Sequence, residues 1–204
     1  MHWIDPSQLP RTIGVIERFL INPHGEYDGL ILRDGTEVHF PPHLSQEVGR
    51  DLARNATVCI QGVRLRRAPV LAAIALQALP SGRAIVDNGP DDDLRKRHPR
   101  RKLEVSGMVV RPVHGPKGEV RGALLDDGTM VRVGRHADPK LRELLVEGQQ
   151  LAARGEGVAL PDGISVEANE IGATLETMKR IERKDHPPKP PKERKEPKPE
   201  HAHG

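Results

Sequence analysis

A single cysteine, Cys59, in a chain of 204 residues excludes any intrachain disulfide, and a reduced, cytoplasmic protein is the expectation. No run of about 18 apolar residues is present, so no membrane-spanning helix is expected. The opening segment, "MHWIDPSQLPRTIG", has no basic region followed by an apolar core and is not expected to act as a signal peptide. Aromatic side chains are scarce, with one Trp, one Tyr and two Phe, and none lies between residues 105 and 172. No Ser-His-Asp pattern, nucleotide loop or dinucleotide fingerprint appears, so neither an enzyme nor a cofactor is expected.

What is present is a repeat. "NPHGEYDGLILRDGTEVHFPPH", from Asn22 to His43, shares its skeleton with "GPKGEVRGALLDDGTMVRVGRH", from Gly115 to His136. A shift of 93 residues aligns Gly14 with Gly107, Glu26 with Glu119, Asp34-Gly35-Thr36 with Asp127-Gly128-Thr129, and Gly62 with Gly155. The alignment needs no gap and gives 14 identities over the 51 positions from 12 to 62. The chain is an internal duplication, which settles its organisation before any residue is read for chemistry. Two units are expected, residues 1–80 and 105–172, separated by a charged linker over 81–104 and followed by 173–204.

Within a repeat the period of the apolar residues gives the order of elements. "TIGVIERFLI", "GLILR" and "TEVHF" read as strands. Asp34-Gly35 marks a tight primed hairpin turn. "HLSQEVGRDLARN" places Leu44, Val48 and Leu52 at helical spacing, with Ser45 as a cap, and "TVCIQGVRL" and "VLAAIALQAL" are two further strands. The second repeat follows suit, with a helix expected over "DPKLRELLVEG". Gly14 and Gly107 are expected to bend strand one, and Gly62 and Gly155 strand four. The order β-β-β-α-β-β resembles the OB-fold, a five-stranded Greek-key barrel with a helix between strands three and four. The motif Asn-Pro-x-Gly-Glu-x-Asp-Gly followed by Asp-Gly-Thr and Phe-Pro-Pro-His is similar to bacterial OB-fold-like proteins of uncharacterised function. This resemblance, over about 160 residues, implies a mainly β fold of two tandem barrels and no particular activity.

The net charge of +3 is unevenly spread. Residues 1–80 are neutral and 105–172 carry −2, whereas 81–104 carry +2 and 173–204 carry +3. The linker holds Arg95, Lys96, Arg97, Arg100, Arg101 and Lys102, a cluster that reads first as solvated charge and second as a phosphate-binding patch. "GATLETMKRIERK" is a short helical candidate. The Pro-, Lys- and Glu-rich remainder is expected to be disordered and extended, and its "PPKPPK" is a segment that a partner protein's groove could take.

The histidines do not make a metal site by this reading. His43 recurs as His136, but His39 becomes Arg132 and His24 becomes Lys117. Glu26 and Glu119 recur in the loop after strand one, where a loop-anchoring hydrogen bond explains them. Cys59 becomes Ala152 and is expected to be a buried, inert thiol. An OB barrel usually takes a single strand across its second and third strands, flanked by the one-two and four-five loops. Stacking on aromatic rings and a basic groove supply the affinity. The first repeat offers Tyr27, His39 and Phe40 on those elements, and Arg64, Arg66 and Arg67 at the four-five connection. Core packing explains Phe40 equally well. A noncatalytic binding module for single-stranded DNA or RNA through the first repeat is therefore one expectation, and a protein-interaction or small-ligand module the other.

Overall fold

The computed structural model describes residues 5–89, 97–134 and 139–181. The first repeat forms β1 (Arg11–Ile21), β2 (Tyr27–Leu32), β3 (Glu37–His39), helix α1 (Ser45–Asp51), β4 (Thr57–Arg64), β5 (Val70–Ala78) and β6 (Ala84–Val86). The second forms β7 (Arg101–His114), β8 (Val120–Leu125), β9 (Met130–Arg132), a 3-10 segment over Pro139–Leu145, β10 (Gln150–Leu160), β11 (Gly163–Gly172) and β12 (Lys179–Arg180). In the first sheet the order is β3-β2-β1-β4-β5, and a parallel pairing of β3 with β5 closes it into a barrel. The second closes in the same way, β9 running parallel to β11. Two closed five-stranded barrels of OB topology result.

Alternation makes each core. Along β4, Val58 and Ile60 point inward and are buried, while Cys59 and Gln61 between them are half-exposed. The thiol is free and half-buried, not fully buried as its apolar strand led one to expect. Helix α1 plugs one end of the first barrel with Val48, joined by Leu44 and Leu52. Ser45 does not cap α1; its hydroxyl accepts the Tyr27 amide at 2.8 Å. The second barrel's plug is the 3-10 segment rather than an α-helix, and Leu145 enters its core.

Strand one serves two neighbours. Arg11–Val15 pair with β4, and Ile16–Ile21 pair with β2. Its register with β2 shifts between Ile16 and Arg18 and between Leu20 and Ile21, with counterparts at Val109/Arg111 and Val113/His114, so both irregularities lie past Gly14 and Gly107. Gly62 and Gly155 do sit at bulges of strand four, between Gln61 and Gly62 and between Arg154 and Gly155. A Cβ there would lie 2.1 Å from the Ala72 carbonyl oxygen and 2.0 Å from that of Glu167, so only glycine lets the two backbones approach.

The duplication extends further than its identities. β6 adds to β5, and β12 adds to β11, where the sequence pattern led one to expect a short helix. Ile85 and Ile181 go into the respective cores. The stretch expected as a linker thus carries β6 near one end and the start of β7 at the other. Arg100 donates to the Glu167 carboxylate at 2.8 Å, and the His98 amide donates to the His24 carbonyl at 2.9 Å. Arg95, Lys96, His136 and the Pro-rich tail lie outside the described residues.

The Asp-Gly turns differ from the expected primed type. Gly35 and Gly128 have φ of 84° and 87°, but no aspartate has a positive φ among the described residues. The arrangement is a three-residue hairpin loop ending in a left-handed glycine. Each aspartate carboxylate accepts the threonine amide two residues on, at 2.9 Å for Asp34 and 2.8 Å for Asp127. A Cβ on Gly35 would meet only Arg111 Nη1, at 4.0 Å. Gly35→Val should therefore cost roughly 1–2 kcal/mol through φ alone, and Gly35→Asn clearly less. The midpoints of urea unfolding check both.

Candidate nucleic-acid interface and the seam between the barrels

The six residues expected to read a strand are not brought to one surface. Phe40 is 5% exposed and belongs to the first barrel's core, so its ring faces no solvent; of the two readings open in the sequence, packing describes it. His39 is 7% exposed, with Nε2 3.6 Å from the Glu37 carboxylate. Tyr27 is half-buried, its ring 4.8 Å from that of Phe19 at a tilt of 32°. Its hydroxyl donates to Asp162 of the second barrel at 2.6 Å. Burial first, then Asp162, pushes the Tyr27 phenol above its usual pKa. Arg64, Arg66 and Arg67 are exposed at the β4–β5 connection, and Arg64 Nη1 reaches the Thr36 hydroxyl at 3.4 Å. Glu26 is buried, and its carboxylate accepts from the Asn22 side-chain Nδ2 at 2.8 Å, a loop anchor of the kind expected of it.

The reason for this dispersal is a seam. The barrels meet through a third apolar cluster of Leu20, Ile21, Ile31, Val113, Leu124, Met130 and Val158. The β2 side of the first barrel, which an OB-fold commonly leaves to a ligand, is here occupied by the second barrel. Polar contacts cross it too. Arg132 donates to Asp28 at 2.8 Å, and the Ser165 hydroxyl donates to the Ile21 carbonyl at 2.8 Å.

The seam has an approximate twofold character that the shift of 93 exposes. Arg111 Nη2 donates to the Gly35 carbonyl at 2.9 Å. Its counterpart Arg18 reaches the counterpart turn, with Nη1 3.5 Å from where a Cβ on Gly128 would stand. The His114 amide donates to Glu37 at 2.9 Å, and the Ile21 amide lies 3.4 Å from the Met130 sulfur. Ile21 is the counterpart of His114 and Met130 that of Glu37, so one half of the seam is ionic where the other is apolar.

Glu37 is the centre of the ionic half. It is 0% exposed, yet carries a carboxylate. His114 Nδ1 lies 2.8 Å from Oε1, and Arg111 Nη2 lies 3.4 Å from the same oxygen. Burial pushes the Glu37 pKa up, but the His114 ring and amide, which hydrogen-bond to it, and the nearby His39 ring overcome this and hold it at about 2. A buried carboxylate is tolerable only with such partners.

Two cavities open along the seam. The larger, about 520 Å³, is lined by Arg18, Phe19, Tyr27, Arg54, Met130 and Asp162, among others. The second, about 350 Å³, lies among the paired counterparts Asp28 and Arg121, and His39 and Arg132. Among the described residues no group of three or more His, Cys, Asp or Glu is arranged to hold a metal ion. Of the residues at the seam, the sequence singles out Tyr27 and His39, as readers of a strand, and passes over Glu37, Arg111, His114, Asp28 and Arg18.

Because the folded pKa of Glu37 lies below its ordinary value of 4.5, its stabilisation is complete above that value and disappears as pH falls toward about 2. Glu37→Gln should flatten that part of the stability profile, measured by chemical unfolding at a series of pH values. Glu37→Met copies the apolar half and should cost about 3 kcal/mol or more at neutral pH, since it strands buried polar partners. Adding His114→Ile should recover part of the loss, and a double-mutant cycle reads the coupling.

No protein-family model matches the chain, and no curated protein matches it either. Among solved structures, it is similar to a deletion mutant of the single-stranded DNA binding protein from Thermus aquaticus. That match covers 88% of this chain and 96% of the other, at 16% identity and a TM-score of 0.23, too low to carry any argument about fold or ligand.

Proposed function

We propose that the protein is a noncatalytic binding module that takes single-stranded nucleic acid along the β4–β5 edge of its first barrel. The observation that supports this reading is the exposed trio of Arg64, Arg66 and Arg67 at the connection by which OB barrels commonly engage a strand. The second barrel's β7–β8 loop lies against the same connection: a Cβ on Gly118 would stand 2.9 Å from Ala68 and 3.2 Å from Leu65. That contact brings Lys117 to the neighbourhood of the arginines, so both barrels contribute positive charge there.

With Phe40 in the core, Tyr27 and His39 are the rings of the expected reader that line cavities, His39 beside Glu37. The affinity is then mainly electrostatic. Each phosphate contact contributes about 0.7 to the slope of log K against log salt for a single strand. Replacing Arg64, Arg66 and Arg67 together with Gln should therefore lower that slope by roughly 2. Phe40→Leu should reduce stability and leave the slope unchanged. Fluorescence anisotropy with labelled single-stranded DNA and RNA at several salt concentrations checks both outcomes. An unchanged slope in the triple variant would contradict the assignment.

A further inference from the structure

Arg18 is a cation whose twin has a partner that it lacks. Arg111 reaches across the seam to the Gly35 turn and to the carboxylate of Glu37. Arg18 reaches the matching Gly128 turn, but Met130 stands where its carboxylate would be. Among the described residues Arg18 forms no hydrogen bond or ion pair; its Nε is buried without an acceptor, as is that of Arg111, so the two differ in that Nη2 of Arg111 has partners. The side chain is half-buried in the lining of a cavity, and an anion delivered there would give its guanidinium charge-assisted hydrogen bonds.

The cavity beside it fits a particular kind of anion. Its volume of about 520 Å³ falls within the range of small-molecule sites. Its two acids are already engaged, Asp162 by the Tyr27 hydroxyl and Asp127 by the amide and hydroxyl of Thr129. Arg54, the second cation of the lining, uses Nε on the Glu17 carbonyl. The Phe19–Tyr27 pair supplies an aromatic wall. Gly49 of α1 leaves room beside it, since a Cβ there would lie 3.0 Å from the Tyr27 ring.

We infer that this seam cavity binds a nucleoside monophosphate group, free or at the 5′ end of a strand, with the phosphate on Arg18 and the base against Tyr27. The nucleoside part rests on the nucleic-acid reading above; the demand for an anion does not. Titration calorimetry of the full chain tests it, with adenosine 5′-monophosphate, adenosine, inorganic phosphate, and an oligothymidylate of about ten residues with and without a 5′ phosphate. A phosphorylated probe should bind and lose about tenfold or more in affinity in Arg18→Gln. Adenosine should bind more weakly than its monophosphate. Arg18→Gln should leave Tm unchanged, because Arg18 has no partner to lose among the described residues, whereas Arg111→Gln should lower it.

Binding of the free monophosphate identifies a nucleotide site. Binding of the 5′-phosphorylated strand alone, still dependent on Arg18, identifies a strand-end site. Three results would overturn the inference: no binding of either phosphorylated probe beyond the unphosphorylated strand, unchanged affinity in Arg18→Gln, or adenosine binding as tightly as its monophosphate. The triple Gln variant of Arg64, Arg66 and Arg67 separates the two readings. It should retain the monophosphate while losing the unphosphorylated strand. If no unphosphorylated strand binds but the monophosphate does, the proposed function fails and the cavity stands.

Discussion

A carboxylate sealed between two barrels sets the terms for the rest of this molecule. Glu37 lies on β3 of the first barrel, and its oxygens are met largely by Arg111 and His114 of the second. An isolated first barrel would leave that charge to water or strand it. Docking replaces the water with fixed donors and places the apolar seam around them. The energetic driving force is the burial of Leu20, Ile31, Val113, Leu124 and their neighbours. The Glu37 cluster adds orientation, because a buried ion pair is stable only with its partners in place. Hydrophobic packing alone would tolerate sliding along the seam.

The duplication explains both the symmetry of the seam and its breaks. Two identical halves would have placed the same residues at both ends of the twofold arrangement. Here one end carries Glu37 and His114, and the other Met130 and Ile21. Each pair is internally consistent, acid with donor and thioether with aliphatic, while a mixed pair would bury an unmet charge. The arginines did not follow. Arg111 and Arg18 remain in both halves, and among the described residues only the first is paired with an acid. That mismatch turns a packing interface into a candidate anion site. The face usually given to a ligand in an OB barrel has been given to a second barrel, which is why the two proposed binding sites fall at the edges: the β4–β5 arginines and the mouth of the seam.

Much of the fold was legible because it is local. The position of the Asp-Gly-Thr turn, though not its type, the alternation in β4 and the glycines of strand four report their own surroundings, and doubling them located each element twice. The terminal strand was missed because Leu175, Met178 and Ile181 mimic a helical stripe over too few residues to distinguish the two periods. The plug over Pro139–Leu145 shows the same limit, its leucines serving a 3-10 segment as well as an α-helix. The candidate site was read poorly for another reason. Tyr27, His39 and Phe40 were chosen by their place within one barrel, and their exposure is decided by the neighbouring barrel and core. The signal for the seam was in the differences between repeats rather than the identities. Glu37 against Met130 and His114 against Ile21 change character together, as residues in contact would.

The account depends on the seam holding the two barrels as one body. Backbone ¹⁵N relaxation of the full chain tests this most directly, since independent domains tumble with their own correlation times. Locked barrels should give the same overall rotational correlation time for amides of β1–β5 and of β7–β11. Two distinct times, each that of a single small barrel, would contradict the account.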